Sequence, residues 1–232
     1  MEKQQGSKNA SRHALQYNLS PTLELEKAAL SLGFQHIAGV DEAGRGPLAG
    51  PVIVAAVVLG KDWNADHPLN DSKKLSTKKR EQMFEVICSE ALAYKIISIS
   101  VEEIDRMNIL QATLHGMFRC LTEIEPFPDY ALVDGNHFPR TTIQGEVVIK
   151  GDCRSKSIAA ASIMAKVTRD RMMVENAKRY PEWCFECHKG YPTKLHREAI
   201  EKYGLSPLHR RSFSLKSLSE LDGSSNVQMN LL

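Results

Sequence analysis

The sequence predicts an α/β fold, a mixed five-stranded sheet flanked by helices with a helical extension at its C-terminal side. Two observations carry this. The apolar, β-branched runs at 37–40 and 52–59 are joined by too few residues for a crossover helix, so they pair as antiparallel strands. Strand-like runs follow at 94–100, 130–133 and 147–150, interleaved with helical sequence, the pattern of a sheet covered by helices.

Each remaining element has a local cause. Residues 23–32 read as a short helix with Leu23, Leu25, Ala28 and Leu32 inward and Glu24, Glu26 and Lys27 outward, ending at Gly33. Ser76 caps a helix from 77 to about 91, and 102–124 reads as one further helix. The run 157–179 is a long helix whose first half is dense in Ala and Ile, small enough to lie very close to the sheet. A last helix, 193–203, stops at Gly204. Residues 1–22 are expected to be a flexible leader, 23–213 the folded domain, and the Ser-rich 214–232 a flexible tail.

Composition narrows the class. At 232 residues and 42% hydrophobic content the chain can bury one full core, which excludes wholesale disorder. No apolar run is long enough to span a bilayer and none near the N-terminus resembles a signal peptide, so a cytoplasmic location is expected. Five cysteines, an odd number, fit reduced thiols better than a disulfide framework. A net charge of +2 does not by itself point to nucleic acid, because an acidic metal site would offset a basic groove in the sum.

The chemistry concentrates at Ile37-Ala38-Gly39-Val40-Asp41-Glu42-Ala43-Gly44-Arg45-Gly46-Pro47. Two adjacent carboxylates at the end of a buried strand repel each other unless a cation neutralises them. The glycines that follow let main chain approach a ligand closely. Asp134 and Asp152 each lie just past the end of a predicted strand, where open α/β sheets place their ligands. Successive side chains on a strand face opposite ways, so the turn beginning at Ala43 is expected to bend the chain until Asp41 and Glu42 reach one cluster. An acid-only set without His or Cys suits hard cations such as Mg²⁺ or Mn²⁺. Two such ions about 4 Å apart can activate water and stabilise a leaving oxygen in phosphodiester hydrolysis.

This segment resembles the signature of the ribonuclease HII family, the type 2 ribonucleases H. Further segments agree in order: Asn70-Asp71-Ser72-Lys73-Lys74-Leu75, Val133-Asp134-Gly135-Asn136, Lys150-Gly151-Asp152, Ile158 to Val167, His188-Lys189-Gly190-Tyr191-Pro192-Thr193 and His209-Arg210-Arg211-Ser212-Phe213. The resemblance implies a ribonuclease H-like fold and a metal-dependent endonuclease. Its substrates would be RNA–DNA hybrids and duplex DNA carrying single ribonucleotides, cut on the 5′ side to leave 3′-hydroxyl and 5′-phosphate ends. It implies that Asp41, Glu42, Asp134 and Asp152 bind the metal, with Asp152 the least regular in position. It further implies that the Gly44-Arg45-Gly46 backbone contacts the ribonucleotide 2′-hydroxyl, the one group that separates RNA from DNA locally. The Tyr191 ring would pack on the deoxyribose that follows. Ser72, Lys73 and Lys74 form a candidate phosphate-holding set, with Lys166 and Arg45 as further candidates. The terminal residues 228–232 are a candidate motif for a replication clamp on an otherwise plain tail, and a monomer is expected.

Other readings compete with this one. Ribonuclease HIII shares the acids but carries a substantial extra N-terminal domain, whereas about 36 residues precede the first strand here. A resolvase-type nuclease of the same fold would not need the Gly44-Arg45-Gly46 turn. A catalytically inactive hybrid-binding module would gain from losing acids near phosphates. Cys184-Phe185-Glu186-Cys187-His188 matches a haem-attachment spacing, but nothing else in the chain supports haem or zinc. The glycines at 39–46 fail as a P-loop because Arg45 and Gly46 stand where Lys and Ser or Thr are required.

Overall fold

The computed structural model describes residues 20–213. Most of the expected leader and all of 214–232 lie outside the described residues. Five strands, β1 (Ile37–Ala43), β2 (Val52–Val58), β3 (Ala93–Ile99), β4 (Tyr130–Asp134) and β5 (Gln144–Val148), form one sheet in the order β3-β2-β1-β4-β5. β1 pairs antiparallel with β2, and β2 with β3, while β4 runs parallel to both β1 and β5. The mixed sheet expected from the sequence is therefore the sheet observed.

Helices α1 (Glu24–Ser31), α2 (Thr77–Glu90), α3 (Val101–Met107), α4 (Ile109–Glu123) and α5 (Lys156–Arg179) surround it. The continuously apolar β2 is explained by burial on both faces. Val54 and Ala56 pack with Ala112, Met117 and Leu121 of α4, whereas Ile53, Ala55 and Val57 pack with Met83 and Ile87 of α2 and with the Ala-rich half of α5. Small residues set how closely the layers approach. A Cβ built on Gly39 of β1 would lie 2.1 Å from the Ser157 carbonyl carbon in the first turn of α5, so only glycine lets helix and strand touch there.

Four expectations need correction. Residues 102–124 are two helices, not one: Asn108 takes φ 68°, and its side chain caps α4 by accepting from the Leu110 and Gln111 N–H groups. α3 has its own capping box between Ser100 and Glu103. The strand expected at 147–150 is β5, three residues earlier; Lys150 is left-handed (φ 55°), and Asp152 sits on the short 3₁₀ turn Gly151–Cys153. α1 is also rotated from its expected face. Leu32 is 75% exposed, while Glu26 is buried, its Oε1 accepting from Ser155 Oγ (2.6 Å), Ser157 N (2.9 Å) and Ser157 Oγ (2.7 Å). A carboxylate at the N-terminus of α5 satisfies donors that the helix leaves open, and this outweighs the apolar periodicity of α1. Thr22, placed in the leader by sequence, is bonded to Arg154 and Lys156.

A C-terminal extension follows α5: a 3₁₀ turn Pro181–Trp183, α6 (Phe185–His188) and α7 (Lys194–Tyr203). The first two were not anticipated. Among the described residues no helix is long and apolar enough to cross a membrane.

The close approach at Gly39 yields a stability prediction. Gly39→Ala places a methyl group against α5 backbone and should destabilise the fold by about 2–3 kcal/mol in urea unfolding, the usual scale of overpacking. Unchanged stability would mean that α5 can move away from β1.

Candidate active site

β1 brings two of the predicted acids to the end of the sheet, but without the bend expected at Ala43. Its pairing with β2 stays regular through Glu42↔Val54 and Ala43↔Ile53. The alternation of the strand is therefore kept. Asp41 is buried on the side of α5, with a hydrogen bond to Ser162. Glu42 faces the other way, into a small hollow that it shares with Arg45, Thr113, Met117, Asp134 and Asn136. Asp134, at the end of the neighbouring β4, is close enough to act on both charges. Neighbouring strand ends, rather than a bend within one, bring the three acids together.

Asp152 joins from the 3₁₀ turn. That turn is tied to the cluster because the Gly151 N–H donates to Asp134 Oδ1 at 2.7 Å. One acid escaped the sequence reading: Asp71, whose carboxylate lies with Asp152 and Cys153 in a group with ligand atoms within 4.8 Å of one another. Its presence in the quoted Asn70-Asp71-Ser72-Lys73 segment was the available signal.

These groups repel. Burial raises the Asp41 carboxyl well above its usual range, and Glu42 and Asp134 push it further. Burial also raises Glu42, with Asp134 adding to the rise and Arg45, 3.4 Å away, opposing it. Asp152 is raised by burial, then by Asp71 and Asp134. Lys73 is a cation at the edge of the cluster. Burial alone would lower its ammonium, but Asp71, Asp152, Asp41 and Asp134 outweigh that and hold it above its usual value. An oxygen-donor set that carries more negative charge than its neighbours offset fits hard divalent cations.

The other candidates fall into two groups. Ser72 is buried, its Oγ 3.0 Å from Ser162 Oγ, and Lys74 Nζ reaches Cys153 Sγ at 3.7 Å. The Ser72–Leu75 turn is held by Arg80, which donates to the carbonyls of Ser72 and Leu75. In the second group, Arg45 and Gly46 are exposed, and among the described residues a Cβ on Gly46 would meet only the Tyr191 ring, at 3.9 Å. Lys166 pairs with Asp170 at 2.8 Å and lies 5.9 Å from the centre of that ring. Gly44 differs from the expectation that its bare face admits a ligand. It is buried at φ +101°, and a Cβ there would strike Arg169 Nε at 2.2 Å, so the close approach is to the protein's own interior.

The Tyr191 loop is supported by three histidines. Ser206 N–H donates to His209 Nδ1 (2.8 Å), which leaves His209 Nε2–H to donate to His196 Nε2 (3.0 Å) and His196 Nδ1–H to donate to the Tyr191 carbonyl (3.0 Å). Burial pushes His196 and His209 down to about 4, so this chain of neutral rings is intact at pH 7. His188, in the haem-like motif, uses both ring nitrogens: Nδ1 accepts from Gly190 N–H and Nε2–H donates to the Trp183 carbonyl.

A five-stranded sheet of this order, with acids at the ends of adjacent β1 and β4, has the ribonuclease H architecture. Comparison with known proteins makes the assignment specific. Residues 38–216 match the family model described as Ribonuclease HII. The chain is 52% identical over 188 residues to a ribonuclease HII of Clostridioides difficile (strain 630), covering 81% of this chain and 73% of that protein. Among solved structures it is similar to the ribonuclease H2 from Pyrococcus horikoshii OT3, with a TM-score of 0.67 and 28% identity over 81% of this chain and 98% of that one. It is also similar to the ribonuclease HII in the PCNA:RNase HII complex from Archaeoglobus fulgidus, with a TM-score of 0.64 and 26% identity over 78% and 96% of the two chains. The chain belongs to the ribonuclease HII family, metal-dependent endonucleases that cleave the RNA of RNA–DNA hybrids.

The acid cluster should oppose the stability of the protein in chelator. Carboxyls raised on folding make the native state bind more protons than the unfolded one, so stability falls as pH rises from the ordinary carboxylate range through the raised values. Asp41→Asn keeps an oxygen to accept the Glu42 N–H, 2.7 Å from Asp41 Oδ1, and removes the charge. In chelator at pH 8 this variant should melt at least about 2 °C above wild type, the shift expected for about 1 kcal/mol. Its turnover with Mg²⁺ or Mn²⁺ should fall by about two decades or more. A lower melting temperature, or turnover above about a tenth of wild type, would contradict the assignment.

Proposed function

We propose that this protein cuts duplex DNA on the 5′ side of an embedded ribonucleotide, and the RNA strand of RNA–DNA hybrids at the same site, leaving 3′-hydroxyl and 5′-phosphate ends. One observation carries the reading: β1 delivers Asp41 and Glu42 to the acid cluster and passes directly into the exposed Arg45–Gly46 turn, against which Tyr191 lies. Acids for hydrolysis and a surface for recognising a sugar are thereby fixed to one strand end.

Asp41, Glu42, Asp134 and Asp152 would hold Mg²⁺ or Mn²⁺, and two such ions when bound supply an activated water and offset charge on the leaving oxygen. The chain's own residues do the positioning. Lys73, Lys74, Arg45 and Lys166 are cations flanking the acids on two sides, suited to the phosphates of a bound strand. Ser72, turned toward Ser162, fixes the Lys73–Lys74 turn to α5. The exposed backbone of Arg45 and Gly46, set by the buried turn at Gly44, reads the 2′-hydroxyl, and the Tyr191 ring, 40% exposed, rests on the next deoxyribose. Water as the nucleophile agrees with the proposed ends, because attack by the 2′-hydroxyl would yield a cyclic phosphate.

The substrate class makes the protein a remover of misincorporated ribonucleotides and RNA primers in the cytoplasm, acting as a monomer. Similarity to the ribonuclease HII of the archaeal PCNA complex supports a replication clamp as a partner. The candidate clamp motif, residues 228–232, lies outside the described residues.

The test separates two substrates. Tyr191→Ala should reduce kcat/KM about tenfold or more on a duplex with one ribonucleotide, the scale of one lost sugar contact, and markedly less on a continuous hybrid. Replacing the single ribose by deoxyribose should end cleavage in every variant. Equal losses on both substrates would remove the junction-sensing role from Tyr191.

A further inference from the structure

Two arginines far apart in sequence lie buried beneath the Gly44–Pro51 loop. Arg169 of α5 is 1% exposed and Arg210 is 2% exposed. Among the described residues neither guanidinium has a carboxylate within salt-bridge distance; both are spent on main-chain carbonyls. Arg210 donates through Nη2 to Gly44 O and to Gly50 O (2.8 Å), through Nη1 to Arg45 O (3.1 Å) and Pro47 O (2.8 Å), and through Nε to Gly50 O (3.0 Å). Arg169 takes the carbonyls of Pro51, Ala49 and Lys189, each at 3.0 Å. Burying a guanidinium is costly unless its donors are satisfied, so such an arrangement persists only where the loop geometry is held tightly.

The consequence follows from the peptide plane. In a trans peptide the C=O of one residue and the N–H of the next point in opposite directions. Turning the Gly44 and Arg45 carbonyls inward onto Arg210 therefore turns the Arg45 and Gly46 N–H groups outward. Two other N–H groups of this loop are used internally: Leu48 donates to Gly190 O and Gly50 to Leu208 O. Among the described residues those of Arg45 and Gly46 have no acceptor, and both residues are exposed beside Tyr191.

Arg210 is itself well anchored. Its N–H donates to Leu48 O, its guanidinium lies 5.0 Å from the centre of the Phe213 ring, and the preceding residue, His209, is fixed by Ser206.

We infer that Arg210 is a specificity-determining positioning residue: by gathering the Gly44 and Arg45 carbonyls it presents the Arg45 and Gly46 N–H groups as a paired donor site for the ribonucleotide 2′-hydroxyl oxygen. Arg169 performs the companion task, joining this loop to the Tyr191 loop through Ala49, Pro51 and Lys189. Arg210 touches no substrate; it acts through the backbone that does. The inference rests on the proposed reading of the 2′-hydroxyl by this loop.

The experiment measures binding of the full chain carrying Asp134→Asn, which slows cleavage, to two duplexes that differ only by one ribose. Fluorescence anisotropy gives the ribonucleotide-to-DNA affinity ratio for this parent and for the same protein with Arg210→Lys, which keeps the charge but loses the fork. The ratio should fall about tenfold, the size of one or two orienting hydrogen bonds, while affinity for the all-DNA duplex stays within about threefold. A merely structural role would weaken both duplexes together. A folded Arg210→Lys protein with the parental ratio would overturn the inference alone. A parent with no preference for the ribonucleotide duplex would overturn the proposed reading and the inference with it. If Arg210→Lys does not fold, amide NMR on the parent decides. The Arg45 and Gly46 N–H resonances should shift more with the ribonucleotide duplex than with the all-DNA duplex, and equal shifts would overturn the inference.

Discussion

Mutual repulsion among carboxylates held at the end of one sheet is the constraint around which this structure is organised. Asp41, Glu42 and Asp134 lie on adjacent parallel strands, and Asp152 and Asp71 close the group from two turns. Left to local preference, like charges would separate. They are held because β1 is fixed on all sides: β2 and β4 pair with it, α5 presses on one face and α4 packs on the other. Gly39, two residues before Asp41, removes the side chain that would keep α5 away. The packing of the core and the electrostatics of the site are thus settled within three residues of one strand.

The cationic side of the site is built differently. Lys73 lies beside the acids and partly offsets them, whereas among the described residues Arg169 and Arg210 reach no carboxylate and order main chain instead. The family assignment makes the protein an endonuclease acting on RNA in hybrids. The proposed reading adds a division of labour in which side-chain oxygens serve the hydrolysis and backbone nitrogens serve sugar recognition. Backbone donors suit that task because their position depends on fold geometry rather than on a rotamer.

Much of this was visible in the chain. The antiparallel start of the sheet followed from a short connection, and β2 betrayed its double burial by an unbroken apolar run. The acids stood at the ends of strand-like segments. What escaped has physical reasons. Glu26 looked like a solvent residue because its partners, Ser155 and Ser157, are about 130 positions away and no periodicity within an eight-residue helix reports them. β5 was misplaced because the apolar run is Val147-Val148-Ile149, although Ile149 lies beyond the strand and is 66% exposed, and pairing begins earlier, at the polar Gln144-Gly145-Glu146 run. Asn108 hid a helix break, since asparagine is tolerated within a helix but is also a favoured N-cap, the role it takes here for α4. Buried arginines bonded to carbonyls leave no local pattern at all, and only the folded chain shows them.

On the proposed reading, the acids of β1, β4 and the 3₁₀ turn hold the catalytic cations together. Crystals of the full chain with Mn²⁺ and a duplex made uncleavable at one ribonucleotide, measured at the manganese absorption edge, test it directly. Two anomalous peaks are expected, bounded by carboxylate oxygens of Asp41, Glu42, Asp134 and Asp152 and lying beside the scissile phosphate. Manganese confined to the Asp71, Asp152 and Cys153 group, with none at Asp41, would contradict it.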